Sequence, residues 1–177
     1  FQDPMMGTSP NMEIQENLAL AARRGKVRSL MPGIRRSEKA FYREQLARLG
    51  LGLEDRMTAK VGLLSGGQRQ SLTLLMATLN RPELLLLDEH TAALDPKTAA
   101  RVLEFTEELA AENHLTTVMI THNMLDAIRC GNRLIMMQEG KIIYDVCGEE
   151  KKGLQVKDLL ERFRESGGAI NDRMVLN

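Results

Sequence analysis

Five consecutive residues, Leu64-Ser65-Gly66-Gly67-Gln68, have the composition of an anion-binding helix start. Ser65 and Gln68 have the spacing of a capping box, in which each side chain bonds the backbone N–H of the other residue. The two glycines leave the neighbouring N–H groups uncovered, and such an N-terminus attracts phosphate through those donors and the helix dipole. An ordinary capped helix has the same pattern, so the motif alone does not separate the two interpretations.

An acidic pair, Asp88 and Glu89, forms a second candidate because it follows the short apolar run Leu84–Leu87. The run predicts a buried strand, and the acids then lie at its carboxyl end, where open α/β sheets bind ligands. Asp88 could hold Mg²⁺ through water, and Glu89 could polarise an attacking water molecule. A solvated strand end is the alternative interpretation.

His122 is the third candidate, since it directly follows the β-branched and apolar segment Thr116–Thr121. That segment predicts a second strand, which would place His122 at the same sheet edge as Asp88. An imidazole at this edge could donate a hydrogen bond to a terminal phosphate. A helix-capping or surface histidine is the alternative.

Periodicity and turn residues predict the elements that position these candidates. The chain before residue 80 is predicted to be mainly helical, and strands alternate with helices after it, which indicates an α/β fold with a mainly parallel core sheet. The predicted helices are 12–24 (capped by Asn11), 37–49, 66–79, one from Asp95-Pro96, one from Asn123 and 156–163, and a hairpin turns at Glu139-Gly140.

Composition excludes some classes of function. Lys+Arg and Asp+Glu both number 24, and only 3% of the residues are aromatic, with no Trp. Neither the charge nor the aromatic content therefore indicates a nucleic-acid partner. Cys130 and Cys147 match no metal or redox spacing, and no apolar run approaches the roughly 18 residues of a membrane span.

Taken together, these motifs resemble the ATPase subunits of ATP-binding-cassette (ABC) transporters, whose fold is P-loop NTPase-like. Gln68 ends a match to the family's LSGGQ signature and lies 20 residues before Asp88, which is the usual interval. The other matches are Leu84–Asp88 (Walker B strand), Glu89 (catalytic base), Ala93–Pro96 (D-loop), His122 (switch histidine) and Phe1–Pro4 (Q-loop, with Gln2). The resemblance covers essentially the whole chain.

The resemblance implies ATP and Mg²⁺ as cofactors, with ATP enclosed between two subunits arranged head to tail. It assigns Ser65, Gly66, Gly67 and Gln68 to the terminal phosphate of the partner's ATP, and Asp95 to a bridge between the two sites. It assigns catalytic roles to Glu89, His122 and Gln2, and Mg²⁺ to Asp88 and Gln2.

The same resemblance implies the organisation and partners of the chain. Residues 1–80 would hold the Q-loop and the α-helical subdomain, and residues 81–177 the C-terminal part of the α/β core. The partners would be a second ABC ATPase subunit and transmembrane permease subunits, with a substrate-binding protein as a further candidate, and no nucleic acid. Localisation would be cytoplasmic, peripheral on the inner face of the cell membrane.

The sequence departs from the family pattern in lacking a phosphate-binding loop, Gly-x-x-x-x-Gly-Lys-Ser/Thr. Its two Gly-Lys pairs, Gly25-Lys26 and Gly140-Lys141, are followed by Val27 and Ile142. We therefore expect that loop upstream of Phe1, in a longer protein, and expect this chain to be truncated and inactive alone. Marginal stability and an exposed sheet edge are further expectations.

Three functional interpretations remain from the sequence. The first is the ATPase subunit of a transporter, in particular a bacterial importer. The second is an ABC ATPase without a membrane partner. The third is a non-enzymatic module that offers Ser65–Gln68 to ATP held by an intact partner.

Overall fold

A computed structural model describes residues 6–26 and 33–166 of the 177-residue chain. The contacts divide the chain into two compact units, Phe1–Met119 and Ile120–Asn177. The predicted boundary after residue 80 separates types of secondary structure rather than compact units, and it stays a prediction. Within the described ranges, no helix has both the length and the apolar character needed to cross a membrane.

Three helices lead the first unit: α1 (Ile14–Ala22), α2 (Arg36–Ala47) and α3 (Gly66–Thr78). Two short 3-10 helices, Leu53–Asp55 and Val61–Leu63, lie between α2 and α3 and were not predicted. The segment before α3 is joined to the segment before α1 by backbone hydrogen bonds, including Val61 N–H to the Met12 carbonyl (3.0 Å) and Gly62 N–H to the Pro10 carbonyl (2.8 Å). The turn before α3 is therefore fastened to the loop before α1.

The first helix begins two residues later than predicted, and Asn11 does not cap it. Glu13 is the N-cap, and it forms a reciprocal capping box with Glu16. The Asn17 side chain binds the loop instead, accepting from Ser9 N–H (2.8 Å) and donating to the Ser9 carbonyl (3.1 Å). The prediction was wrong because this tertiary contact orders the loop as a turn ahead of the helix.

The α/β part of the first unit contains β1 (Leu84–Asp88), α4 (Pro96–Glu112) and all but the last residue of β2 (Thr116–Ile120). The two strands are neighbours in one sheet, joined through the 17-residue helix α4. Leu85 and Leu87 of β1 are buried, whereas Leu84 and Leu86 are exposed. Val118 of β2 is also exposed, so one sheet face packs on the helices and the other presents apolar side chains to solvent.

A single apolar core unites the helices with this sheet. It contains side chains from α1, α2, α3, β1 and α4, of which the most deeply buried are Ile14, Leu18, Tyr42, Leu46, Leu72, Leu75, Phe105 and Leu109. The i, i+3, i+4 spacing within each helix places these residues on one face. The core therefore holds the start of α3 and the end of β1 on the same packed body.

The second unit contains α5 (Met124–Arg129), the hairpin of β3 (Arg133–Gln138) and β4 (Lys141–Cys147), α6 (Gly148–Lys152) and α7 (Val156–Glu165). The hairpin turns at Glu139 and Gly140, both with positive φ (48° and 75°), as a two-residue hairpin turn requires. Its small core consists of Met124, Leu134, Val146 and Leu159. The hairpin was predicted from Glu139-Gly140 and is confirmed, whereas α6 was not predicted.

Candidate functional site

The start of α3 is held by the reciprocal cap that its sequence predicts. Gln68 N–H donates to Ser65 Oγ (3.3 Å), and Ser65 N–H donates to Gln68 Oε1 (3.1 Å). Arg69 also holds this turn, because its buried guanidinium donates to the Val61 carbonyl (3.0 Å). The signature segment is thus a capped helix N-terminus with Ser65 exposed.

The two glycines of this segment have opposite environments. Gly66 is exposed, and a Cβ built there would come no closer than 3.9 Å to Leu94. Gly67 is buried, and a Cβ there would lie 2.1 Å from Cγ2 of Thr98 in α4. Gly66 therefore leaves the helix N-terminus open to a ligand, whereas Gly67 allows α3 and α4 to approach each other.

Asp95 caps α4 beside this contact, as its sequence predicts. Thr98 N–H donates to Asp95 Oδ1 (3.1 Å), and Pro96 occupies the first helical position. The Thr98 hydroxyl, followed by the Thr98 N–H, lowers the pKa of the Asp95 carboxyl. Asp95 is exposed and ionised, and it lies on the turn that contacts Gly66 and Gly67 through Leu94 and Thr98.

The acidic pair lies at the carboxyl end of β1, as predicted. Asp88 is the last strand residue and is exposed, whereas Glu89 is half-buried. Glu89 has a positive φ of 43°, a left-handed backbone that is costly for a residue with a Cβ. This conformation turns the chain sharply out of the strand and gives two successive carboxylates different exposures.

The next residue, His90, is buried and fixes this turn to α4. Its Nε2 lies 3.3 Å from Thr106 Oγ1, and the Thr106 hydroxyl donates to the Val102 carbonyl (2.7 Å). Because the Thr106 hydroxyl gives its proton to the Val102 carbonyl, its oxygen accepts from His90, and Nε2–H of His90 is the donor. Desolvation lowers the pKa of His90 to about 4, so the ring is neutral near pH 7.

His122 belongs to the second unit and lies between β2 and α5, half-buried. The next residue, Asn123, caps α5 by accepting from Leu125 N–H (2.9 Å) and Asp126 N–H (3.2 Å). At the other end of α5, the buried ammonium of Lys151 donates to the carbonyls of Ile128 and Cys130 (3.0 Å for Cys130). The helix that follows His122 is therefore fixed at both ends.

The structure brings some of the predicted site residues together. Ser65, Gly66, Gly67 and Gln68 adjoin the turn that carries Asp95, and Asp88 with Glu89 ends β1 in the same unit. His122 lies in the other unit, and Gln2 falls outside the described residues. Thr98, His90 and Lys151 were not predicted as site-supporting residues; no sequence pattern marks them, because each acts through a tertiary contact.

The acidic end of β1 offers few side-chain ligands for the predicted Mg²⁺. Among residues 6–26 and 33–166, no three His, Cys, Asp or Glu side chains converge as a metal site. Asp88 fits Mg²⁺ in the way common for nucleotide sites, in which one or two carboxylates bind while phosphate oxygens and water complete the octahedron. The exposed N-terminus of α3 fits a phosphate group for the reasons given above.

Comparisons with known proteins agree with these features. A tyrosine transport ATP-binding protein of Clostridioides difficile (strain R20291) is 46% identical over 163 residues, covering 92% of this chain and 64% of that protein. A methionine import ATP-binding protein of Listeria monocytogenes (serotype 4b, strain F2365) is 35% identical over 143 residues, covering 81% and 38%. The chain thus spans less than two thirds of the length of these relatives.

Solved structures show the same fold. A dimeric ATP-binding cassette in a post-hydrolysis state, bound to ADP and Pi, matches with a TM-score of 0.64 and 31% identity, over 83% of this chain and 60% of that one. A transporter of metal-chelate type in an inward-facing conformation matches at 0.68 and 24% identity, over 89% and 61%. The family model described as ABC transporter matches residues 1–92. The chain belongs to the ABC transporter family, and its structure is part of an ABC ATPase cassette.

Proposed function

We propose that this chain is the signature-bearing part of an ATP-hydrolysing subunit that drives a bacterial importer. The observation that carries the proposal is the capped, exposed N-terminus of α3, where Gly66 leaves room for a ligand next to the ionised Asp95. An anion at this N-terminus is stabilised by free N–H donors and by the helix dipole. The anion would be the terminal phosphate of ATP held by a second subunit facing it head to tail.

The acids of β1 would perform the chemistry at the nucleotide bound to their own subunit. Mg²⁺, held by Asp88 and by Gln2, would neutralise charge on the phosphate oxygens. The Glu89 carboxylate would accept a proton from the attacking water, whose oxygen bonds the γ-phosphorus as the bond to the β–γ bridging oxygen breaks. His122 would donate a hydrogen bond to the γ-phosphate, and Asp95 would connect the two sites.

The names of the relatives support a small organic solute as the cargo. They are a tyrosine transport protein, methionine import proteins and an aliphatic sulfonates import protein of Escherichia coli (strain K12), the last 32% identical over 149 residues. The partners would then be permease subunits and a substrate-binding protein. The location would be the cytoplasmic face of the membrane.

A second candidate function follows from the lack of a Gly-x-x-x-x-Gly-Lys-Ser/Thr sequence in the 177 residues. The chain would then hydrolyse no ATP itself and would supply Ser65–Gln68 to ATP bound by an intact cassette. The two candidates share the signature surface and differ in whether Glu89 is needed. They are therefore separable in one experiment.

The experiment mixes the chain with an intact cassette, such as the Clostridioides difficile relative, whose own signature motif has been inactivated, and follows phosphate release with Mg-ATP. Gly66→Asp places a negative charge where the phosphate would bind, yet it suits a helix N-terminus, and its Cβ would come no closer than 3.9 Å to Leu94. We expect G66D to reduce phosphate release by roughly 100-fold. The matched control is Ser37→Asp, the same added charge at the exposed first turn of α2, which should change nothing.

Glu89→Gln then distinguishes the two candidates in a second mixture, in which the cassette keeps its signature motif and lacks its own catalytic glutamate. Phosphate release there would have to come from the nucleotide site of this chain, so its loss in E89Q indicates that this chain also hydrolyses ATP. No release in the second mixture, with loss in G66D in the first, supports the non-enzymatic module. Equal release from G66D and wild type would refute the phosphate contact on which both candidates depend.

A further inference from the structure

The burial pattern of β1 breaks at its carboxyl end. Leu85 and Leu87 are buried and the strand residues beside them are exposed, as the alternation of a strand requires. If the strand continued, the side chain of residue 89 would point inward and that of residue 90 outward. The chain departs from this order, because Glu89 is only half-buried whereas His90 is 4% exposed. The left-handed backbone at Glu89 (φ 43°) is therefore the step that turns His90 into the packed body.

A polar contact secures the inward position of His90. Its Nε2 lies 3.3 Å from Oγ1 of Thr106, which is also buried, and the Thr106 hydroxyl donates to the Val102 carbonyl (2.7 Å). An imidazole N–H buried away from water is costly unless it finds an acceptor. The Thr106 oxygen is that acceptor. The bond thus stabilises the buried imidazole and, with it, the costly left-handed turn that precedes it.

The segment between β1 and α4, residues 89–95, is held to α4 near both of its ends. Asp95 accepts from Thr98 N–H in the first turn of the helix (3.1 Å). His90 bonds Thr106 about two turns further along the same helix. Within residues 89–95, all of which the structure describes, His90 alone is buried. The other residues of the segment therefore take their places from these two attachments.

We propose that His90 is a positioning residue for Glu89 and Asp95, and that it acts through its hydrogen bond to Thr106. The bond holds Glu89 in its left-handed conformation and keeps the segment 89–95 against α4. Its importance for ATP hydrolysis rests on the proposed function, in which Glu89 accepts a proton from water and Asp95 connects the two sites.

The test compares Thr106→Val with Thr106→Ser in the 177-residue chain by NMR, without nucleotide. Valine keeps the branched shape of threonine and removes the acceptor, whereas serine keeps the hydroxyl. A positive φ brings the amide and α protons of a residue close together and gives a strong NOE between them. We expect this NOE at Glu89 in the wild type and T106S, and a weaker one in T106V. Exchange of the Ala92 amide, which donates to the Glu89 carbonyl (3.0 Å), should accelerate roughly tenfold in T106V.

Two controls separate a local effect from a general loss of stability. His114 and Glu139 also have positive φ (52° and 48°), so their NOEs should persist in every folded variant. Thr78→Val is the matched substitution, because Thr78 is buried in α3 and its hydroxyl donates to backbone carbonyls of its own helix. T78V should lower stability and leave the NOE of Glu89 unchanged.

The proposal is overturned if T106V keeps both the strong NOE of Glu89 and the slow exchange of Ala92, since His90 would then only fill space. The imidazole ¹⁵N shifts of the wild type near pH 7 test the bond directly: it requires the tautomer protonated at Nε2, and the Nδ1–H tautomer would overturn it. If T106V does not fold, a folded T106S with the wild-type NOE and tautomer supports the proposal, and loss of either overturns it. Because no ATP is used, failure here is distinguishable from failure of the proposed function.

Discussion

The two units of this chain hold their site-bearing helices by different means. In the first unit, α3 has 13 residues and packs through Leu72 and Leu75 into a core shared with α1, α2 and α4. In the second unit, α5 has only 6 residues: Met124 lies within a core of four buried side chains, and Ala127 and Ile128 pack against that core partly buried. Short helices are marginal in water, so α5 also depends on polar contacts at its ends.

This difference shows that apolar burial and terminal hydrogen bonds are alternative ways to fix a helix. Asn123 accepts two N–H groups at the start of α5, and Lys151 donates to two carbonyls at its end. The signature segment has its reciprocal cap as well, but its helix is already anchored by a large core. We expect the stability of the first unit to fall most when a buried apolar side chain is shortened. We expect that of the second unit to fall most when a hydrogen bond at an end of α5 is removed.

The largest effect is expected from Leu72→Ala in α3. Leu72 is fully buried, and removing its side chain atoms should lower the free energy of unfolding by about 2–5 kcal/mol. Leu63→Ala is the matched control, because Leu63 is 71% exposed and should change stability by no more than about 0.5 kcal/mol. Urea denaturation measures both. Equal effects of the two substitutions would contradict an anchoring role for the apolar core.

The buried His90, which contacts Thr106, lies in the first unit. Its titration tests whether the stability of that unit depends on apolar burial alone. The pKa of His90 is about 4 in the folded chain and near 6.5 when unfolded, so the unfolded state binds the proton first as the pH falls. This contribution to stability is complete above pH 6.5 and is lost between pH 6.5 and 4, by roughly 3 kcal/mol. Denaturation at several pH values measures it.

His90→Gln provides the control for this prediction, since the amide keeps an N–H donor for Thr106 and does not titrate. The stability of H90Q should be flatter between pH 6.5 and 4.5. Below that range the carboxylates Glu38, Asp95 and Asp145, whose pKa values are lowered by hydrogen bonds, should destabilise both proteins alike. Parallel curves for wild type and H90Q would show that His90 is not desolvated as described.

The smallest expected effect is that of Lys151→Met in the second unit. Lys151 is 3% exposed and donates to the last carbonyls of α5, so its loss should cost about 1–3 kcal/mol and accelerate amide exchange in α5. Lys152→Met is the matched control, because Lys152 forms an exposed pair with Glu149. Slow exchange retained in K151M would indicate that the small core holds α5 without these bonds.

Local features of the fold and site were predictable from the sequence. Ser65 with Gln68 and Asp95 with Pro96 are caps whose partners lie within four residues, and both form as predicted. The strand Leu84–Asp88 was predicted from its length and boundaries and is confirmed. In each case the information lies within one element, so no tertiary contact had to be known.

What was not predictable depends on residues distant in sequence. Glu149-Glu150-Lys151-Lys152 has the pattern of a solvated charged segment, yet Lys151 turns inward because the end of α5 offers carbonyls. Asn11 has a suitable cap residue type, but Asn17 and Glu13 decide where α1 begins. The contact of Gly67 with Thr98 joins residues 31 positions apart, and no spacing rule indicates it.

The backbone at Glu89 has a consequence for evolution and for engineering. A left-handed residue with a Cβ costs about 1 kcal/mol or more relative to glycine, so the chain gives up stability at the residue that carries its half-buried carboxylate. A library selected only for thermal resistance would drift toward glycine at position 89 and lose that carboxylate. Retention of glutamate in a parallel library selected for thermal resistance and activity together would measure how strongly the acid is required against the stability gained with glycine.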